Sequence, residues 1–165
     1  MSCFPTCTVQ DDKTKNTADA AFSKVLRLTD VRDRSIFEMR SRLLREGFAE
    51  EHVSDAIERA ILCGALDDVR FSGAYIRGKL RAGWGFCRIE RCLKSFGVDT
   101  ASIEGYPEAF YSAEDEVERA VKELTCFMTK AKDPRGARYR RLLSKGYSSD
   151  VIQTALVQFE KDDCD

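Results

Sequence analysis

Apolar residues return along this chain every three or four positions, and no segment alternates strictly between apolar and polar, so the pattern predicts helices and no strand. Ala21, Phe22, Val25, Leu26 and Leu28 form the apolar face of a first helix that ends around Thr29-Asp30 and the charged run Arg32-Asp33-Arg34. Ser35 opens a second helix with a capping box to Glu38, hydroxyl and carboxylate each satisfying an orphan backbone donor, and the stripe Ile36, Met39, Leu43 runs on to Gly47. Val53, Ala56, Ile57 and Ala60 mark a third, which stops at Gly64. Asp67 or Asp68 caps the next, with Phe71, Ala74, Tyr75 and Gly78, and the turn Gly83-Trp84-Gly85 leads into a helix with Phe86, Ile89, Leu93 and Phe96. After Ile103, Gly105 and Pro107 interrupt the pattern, so a short helix, a linker to about residue 111 and a hinge between units are expected. Ser112 precedes a long helix with Val117, Ala120, Val121, Leu124 and Met128, Asp133-Pro134 starts another with proline at its first position, and Ser148 or Ser149 caps the last, with Val151, Ile152, Ala155, Leu156 and Phe159.

Three copies of one pattern run through these helices. They read Arg42-Leu43-Leu44-x-x-Gly47-Phe48, Arg91-x-Leu93-x-x-x-Gly97-Val98 and Arg141-Leu142-Leu143-x-x-Gly146-Tyr147, and each glycine is followed six residues on by Val53, Ile103 or Ile152. A glycine between two apolar helical stripes is the expected left-handed C-cap. The fold class expected is therefore all-α: three tandem three-helix repeats forming an elongated, curved array, with repeats over 17–64, 65–111 (including the linker) and 112–160. Residues 1–16 are polar and aperiodic and read as a disordered tail, and 161–165 as an acidic tail.

Composition narrows the class. Hydrophobic residues at 43% and charged residues at 33% suit amphipathic helices and exclude general disorder. The apolar runs are a few residues long and the N-terminus lacks a basic region followed by an apolar one, so no membrane span or signal peptide is expected and the location expected is cytoplasmic. Of the seven cysteines, Cys63 and Cys126 are expected among apolar helix residues, and Cys87 and Cys92 share a helix five residues apart. No CxxC pair exists and His52 is the sole histidine, so the thiols read as structural rather than as zinc ligands or a disulfide framework. Neither a metal nor a cofactor is expected.

Charge changes the picture more. The net charge of -1 hides segregation: residues 69–98 hold Arg70, Arg77, Lys79, Arg81, Arg88, Arg91 and Lys94 against Glu90 alone, and residues 130–145 hold Lys130, Lys132, Arg135, Arg138, Arg140, Arg141 and Lys145 against Asp133 alone. Residues 99–123 contain eight carboxylates and 150–165 five. At about 100° per residue, Arg88, Arg91 and Lys94 fall opposite the stripe Phe86, Ile89, Leu93, and Arg70, Arg77 and Arg81 lie within roughly 40° of one another. Arg138, Arg141 and Lys145 make another basic stripe. Two such segments favour a binding surface over solvated faces balanced by neighbouring acids. Trp84, between two glycines, fits either a plug at a helix junction or an exposed stacking platform for a partner or a base. No catalytic constellation and no phosphate loop is present, so an enzyme is not expected.

Residues 66–98 carry a resemblance. Leu66-Asp67-Asp68, Arg70-Phe71, Tyr75, Arg77, Gly83, Gly85, Arg88-Ile89, Leu93 and Gly97 resemble the RecX family of bacterial recombinase regulators. The similarity extends over about 20–157, with Arg34-Ser35, Leu43-Leu44 and Gly47-Phe48 like the family's first repeat and Arg141-Leu142-Leu143 with Gly146-Tyr147 like its third. Cys92 and Phe96 depart from it, standing where the family more often has polar or charged residues. The resemblance implies three three-helix repeats, no enzymatic activity, and a monomer that binds the RecA filament on single-stranded DNA and suppresses recombination, ATP hydrolysis and co-protease activity. The partner- and nucleic-acid-binding residues expected are the seven cations of residues 69–98 with Trp84, and Arg135, Arg138, Arg141 and Lys145. A non-specific nucleic-acid-binding helical protein acting without RecA is the alternative, since arginine-rich three-helix units also suit DNA. A structural adaptor is a weaker third.

Overall fold

The computed structural model describes residues 16–162, and there the chain is all-helical. Its elements are α1 (Ala18–Thr29), α2 (Ile36–Arg45), α3 (Glu50–Leu62), α4 (Asp68–Arg81), α5 (Phe86–Ser95), a 3-10 turn (Thr100–Ser102), α6 (Ala113–Thr125), α7 (Pro134–Lys145) and α8 (Ser149–Asp162). No strand occurs among the described residues. The readings on residues 1–15 and 163–165 lie outside them. Asn16, assigned to the tail, is held: its side chain donates to the Gly47 carbonyl (3.2 Å) and accepts from the Ala49 N–H (3.0 Å), satisfying an orphan donor at the start of α3. The expected acidic tail also begins too early, because α8 runs through Asp162.

The three glycine stops form one structure three times. Gly47, Gly97 and Gly146 have φ of 89°, 71° and 90°, and the next residue donates back to the leucine five positions earlier: Phe48 to Leu43, Val98 to Leu93, Tyr147 to Leu142. This bond satisfies a carbonyl that the helix end would leave orphaned. Leu43, Leu93 and Leu142 are all fully buried.

The chain divides into two compact units, one ending at Phe71 and one beginning at Ser72, a boundary inside α4. In the first, α1 and α2 pack on α3 around Val25, Met39, Leu43, Val53, Ile57, Ala60 and Leu66. Each of these side chains larger than alanine contributes roughly 1.5–3 kcal/mol by removal from water. Ser35 caps α2 through the Glu38 N–H (3.0 Å), but the expected reciprocal bond is absent: Glu38 turns its Oε1 to Arg32 and Arg34, and its Oε2 has no partner. Asp67, the residue before α4, caps it by accepting from the Val69 and Arg70 N–H groups, and Asp68 accepts from the Ile36 N–H at 2.9 Å. Burial raises the Asp68 carboxyl, against that hydrogen bond.

In the second unit α6, α7 and α8 enclose Ala120, Leu124, Leu142, Tyr147, Ile152, Ala155 and Leu156. The segment after α5 holds the expected short helix, as a 3-10 turn, and a linker to residue 111. One 3-10 turn leads to a buried Ile103, and Tyr106, Phe110 and Tyr111 fold back, with Phe86 4.7 Å from Tyr111 and 6.0 Å from Tyr106 between ring centroids. Aromatic packing thus follows the short turn where the first and third repeats have a full third helix, around the segment containing Gly105 and Pro107.

Candidate partner-binding surface

The second unit is built on close approach of two turns. Gly85 donates to the Lys145 carbonyl (3.0 Å), and a Cβ at Gly85 would stand 2.5 Å from the backbone of Gly146 and Tyr147. The Tyr147 hydroxyl donates to the Gly83 carbonyl (3.2 Å), Arg88 to the Ser144 carbonyl (2.9 Å) and Lys145 to the Ala82 carbonyl (3.2 Å). Burial pushes the Tyr147 phenol up to about 12, and Glu123 and Glu116 add to this while Arg119 opposes it. Glu116, itself buried, accepts from the Phe86 N–H at 2.8 Å and so supplies α5 with the cap that Gly85 lacks. Glu116 shows in sequence only as one acid of an acidic helix start, so its role was not legible there.

This junction absorbs several predicted site residues. Trp84 is half-buried, with the Arg88 guanidinium 3.8 Å and the Lys79 ammonium 4.4 Å from its ring centroid, so the indole is engaged by the chain's own cations. Lys145 and Arg141 both pair with Glu123, at 3.2 and 3.5 Å. Arg138 lies over Phe159 and Arg135 pairs with Glu160. Lys94 pairs with Glu90 one turn back. Arg70 belongs to the first unit, where it donates to Asp33 and to the Gly64 and Ala65 carbonyls.

Three predicted residues remain free. Arg77, Arg81 and Arg91 are exposed, and among the described residues no carboxylate pairs with them. The structure adds two cations on α6 that the sequence reading placed among acids: Arg119, half-buried with its Nε lacking an acceptor, and exposed Lys122. Together with Arg81 they border a cleft of about 410 Å³ lined also by Leu80, Gly83, Glu123 and Cys126. Positions 119, 122, 123 and 126 share one helical face, a signal present in the sequence but unreadable without knowing what that face meets.

The cysteines correct one expectation: Cys63 and Cys126 are exposed, each closing a helix at its C-cap, rather than enclosed by apolar neighbours. Among the described residues no group of three or more His, Cys, Asp or Glu could hold a metal ion, and no helix is long and apolar enough to cross a membrane.

Comparison with known proteins agrees with this architecture. Residues 21–59 match the family description "RecX, first three-helix domain". The regulatory protein RecX of Bacillus licheniformis is 31% identical over 150 residues, 86% of this chain but only 57% of the relative, so the chain spans little more than half of that protein. The regulatory protein RecX of Prosthecochloris aestuarii is 25% identical over 137 residues, covering 82% of this chain and 91% of the relative. The crystal structure of RecX from Lactobacillus salivarius superposes with a TM-score of 0.71 at 19% identity, covering 87% of this chain and 96% of that one, a likeness of fold. With its family-specific first domain, its relatives and its helical fold in agreement, the chain belongs to the RecX family.

Proposed function

We propose that this RecX-family chain is a regulatory protein that binds the RecA filament on single-stranded DNA and inhibits its ATPase, strand-exchange and co-protease activities. The observation that carries the reading is the set of exposed, acid-free cations Arg77, Arg81 and Arg91 in a chain whose net charge is only -1. Three exposed cations within fifteen residues with no carboxylate paired to any of them present a concentrated positive surface to an anionic partner. The name its relatives carry, regulatory protein, points to control of another macromolecule, and family resemblance supplies the filament as that partner. In this reading the protein acts as a cytoplasmic monomer, performs no chemistry, and needs neither metal nor cofactor. Contacts to neighbouring recombinase subunits would block the closure that ATP turnover needs, while the cations approach bound DNA.

The test is RecA ATPase on single-stranded DNA with and without the protein, beside a DNA titration without RecA. Inhibition is expected at concentrations where naked DNA is mostly unbound, because protein contacts add to the charge contribution. Equal occupancy of naked DNA and filaments across the inhibitory range, at near-physiological salt, would promote the alternative of nucleic-acid binding without RecA. The variant Arg77→Glu/Arg81→Glu/Arg91→Glu is expected to lose inhibition while keeping its helicity, since exposed substitutions typically cost within about 0.5 kcal/mol each. Undiminished inhibition by that folded variant sinks the basic surface.

A further inference from the structure

We propose that the cleft between the end of α4 and α6 seats a phosphate of single-stranded nucleic acid, held by Arg81, Arg119 and Lys122. The inference deepens only the nucleic-acid contact of the reading above and stands without the recombinase. The side chains of Arg119 and Lys122 make no hydrogen bond and no ion pair to any described residue, and the Arg119 Nε is buried without an acceptor. Arg81 uses only its Nε, on the Arg77 carbonyl (3.3 Å). The one acid in the cleft, Glu123, is already matched by Lys145 and Arg141. Carbonyls at the ends of both helices are also taken: Leu80 by Gly83, Lys79 by Trp84, Ala82 by Lys145, Lys122 by Cys126 and Leu124 by Phe127. The negative helix ends are thereby blunted, and three uncompensated cations dominate the cleft.

Charge and size favour a phosphate over a carboxylate. Two guanidinium forks suit phosphate oxygens, and Arg77, one turn before Arg81, continues the positive surface outward as a strand of successive phosphates requires. At about 410 Å³ the cleft has room beyond the phosphate for the attached sugar or base, against Leu80 and Cys126.

The test follows the arginine Nε–H resonances of the ¹⁵N-labelled full chain during titration with a dT12 oligonucleotide, with inorganic phosphate, and with poly-glutamate. The Arg119 resonance, assigned by its loss in Arg119→Lys, is expected to move with dT12 and with phosphate. Lys122→Gln and Arg119→Gln are each expected to weaken dT12 binding several-fold and to flatten the slope of log affinity against log salt by about 0.7. Lys161→Gln, which removes a charge outside the cleft, is expected to change neither. An Arg119 resonance that stays still when dT12 binds, no binding of dT12, or an equal loss in Lys161→Gln overturns the proposal. A response to poly-glutamate at lower concentration than to dT12 overturns it too and makes an acidic protein segment the occupant. Should Arg119→Gln not fold, exposed Lys122→Gln carries the same decision. No RecA is present, so failure here leaves the ATPase result standing on its own.

Discussion

The two units handle positive charge in opposite ways. In the first, Lys24, Arg32, Arg34, Arg40, Arg42, Arg59 and Arg70 all meet carboxylates of that unit, and among its described cations only Arg27 and Arg45 do not. In the second, only Lys94, Arg135, Arg141 and Lys145 do, although its sequence is rich in acids. The first unit spends its charge on local structure, as Arg70 does in tying the start of α4 to Asp33. The second is held by backbone contact between turns, which releases cations for other work. Basic density in a sequence is therefore a weaker guide to a binding face than the absence of a nearby acid.

The largest expected effect lies in how tightly the turns meet. Gly47 and Gly146 share a left-handed φ near 90°, but a Cβ at Gly47 meets open space, whereas at Gly146 it would lie 2.2 Å from the Arg88 Cβ and 2.9 Å from its backbone nitrogen. Gly47→Ala should cost about 1–2 kcal/mol from backbone conformation alone. Gly146→Ala adds overpacking, for a total of about 2–5 kcal/mol. Urea unfolding separates the units, because Trp84 is the sole tryptophan and its fluorescence reports the second one. Equal costs at the two glycines would break the contrast.

A second test uses alkaline pH. The folded Tyr147 phenol titrates at about 12, above its ordinary value of 10.0, because burial disfavours the phenolate. A raised folded value means that this stabilisation is complete below pH 10 and is lost as pH climbs through 12, on the order of 3 kcal/mol. Burial also raises Tyr75, Tyr106 and Tyr111, all in the second unit, so its stability should fall steeply there. Tyr147→Phe is expected to lessen the slope, and an unchanged slope would remove Tyr147 from that account.

Charge deletion probes the contrast more gently. Glu38→Gln, which disconnects Arg32 and Arg34 in the first unit, should cost about 1 kcal/mol. Arg77→Gln/Arg81→Gln/Arg91→Gln in the second should stay within about 0.5 kcal/mol per site by thermal unfolding, since no acid loses a partner. A larger loss in the triple variant would mean that those cations serve the fold.

The smallest effect is acidic. Burial raises the Glu46 carboxyl, but hydrogen bonds from Lys24 and Arg42 outweigh it and hold the group below its ordinary value of 4.5. A lowered folded value gives stabilisation that is present above the ordinary carboxylate range and lost as pH falls through the folded value. Acid titration of the first unit by circular dichroism should show a small loss that Glu46→Gln reduces.

Much of the local architecture was legible because each signal was short-range. Glycine stops, the Ser35 and Asp133 caps and Pro134 at a first position depend on neighbours within one turn. The aromatic segment at 106–111 was not legible, since Gly105 and Pro107 announce broken helix while nothing local says that Phe86 lies above it. Arg88 and Lys145 look in sequence like members of basic stripes, yet their partners stand 56 and 63 residues away.

The sequence by itself determined where most helices begin and stop, that three related segments recur, and that Leu43, Leu93, Leu124 and Leu156 are inside, because period and caps act within a few residues. Only the tertiary structure decided which cations are free. Ion pairing depends on distances of about 4 Å between side chains brought together from distant positions, and a one-dimensional charge count holds no such distances. Thus Glu123 neutralises Lys145 and Arg141 across two helices, while Arg119 and Lys122, placed by sequence among acids, stand beside Arg81 with none.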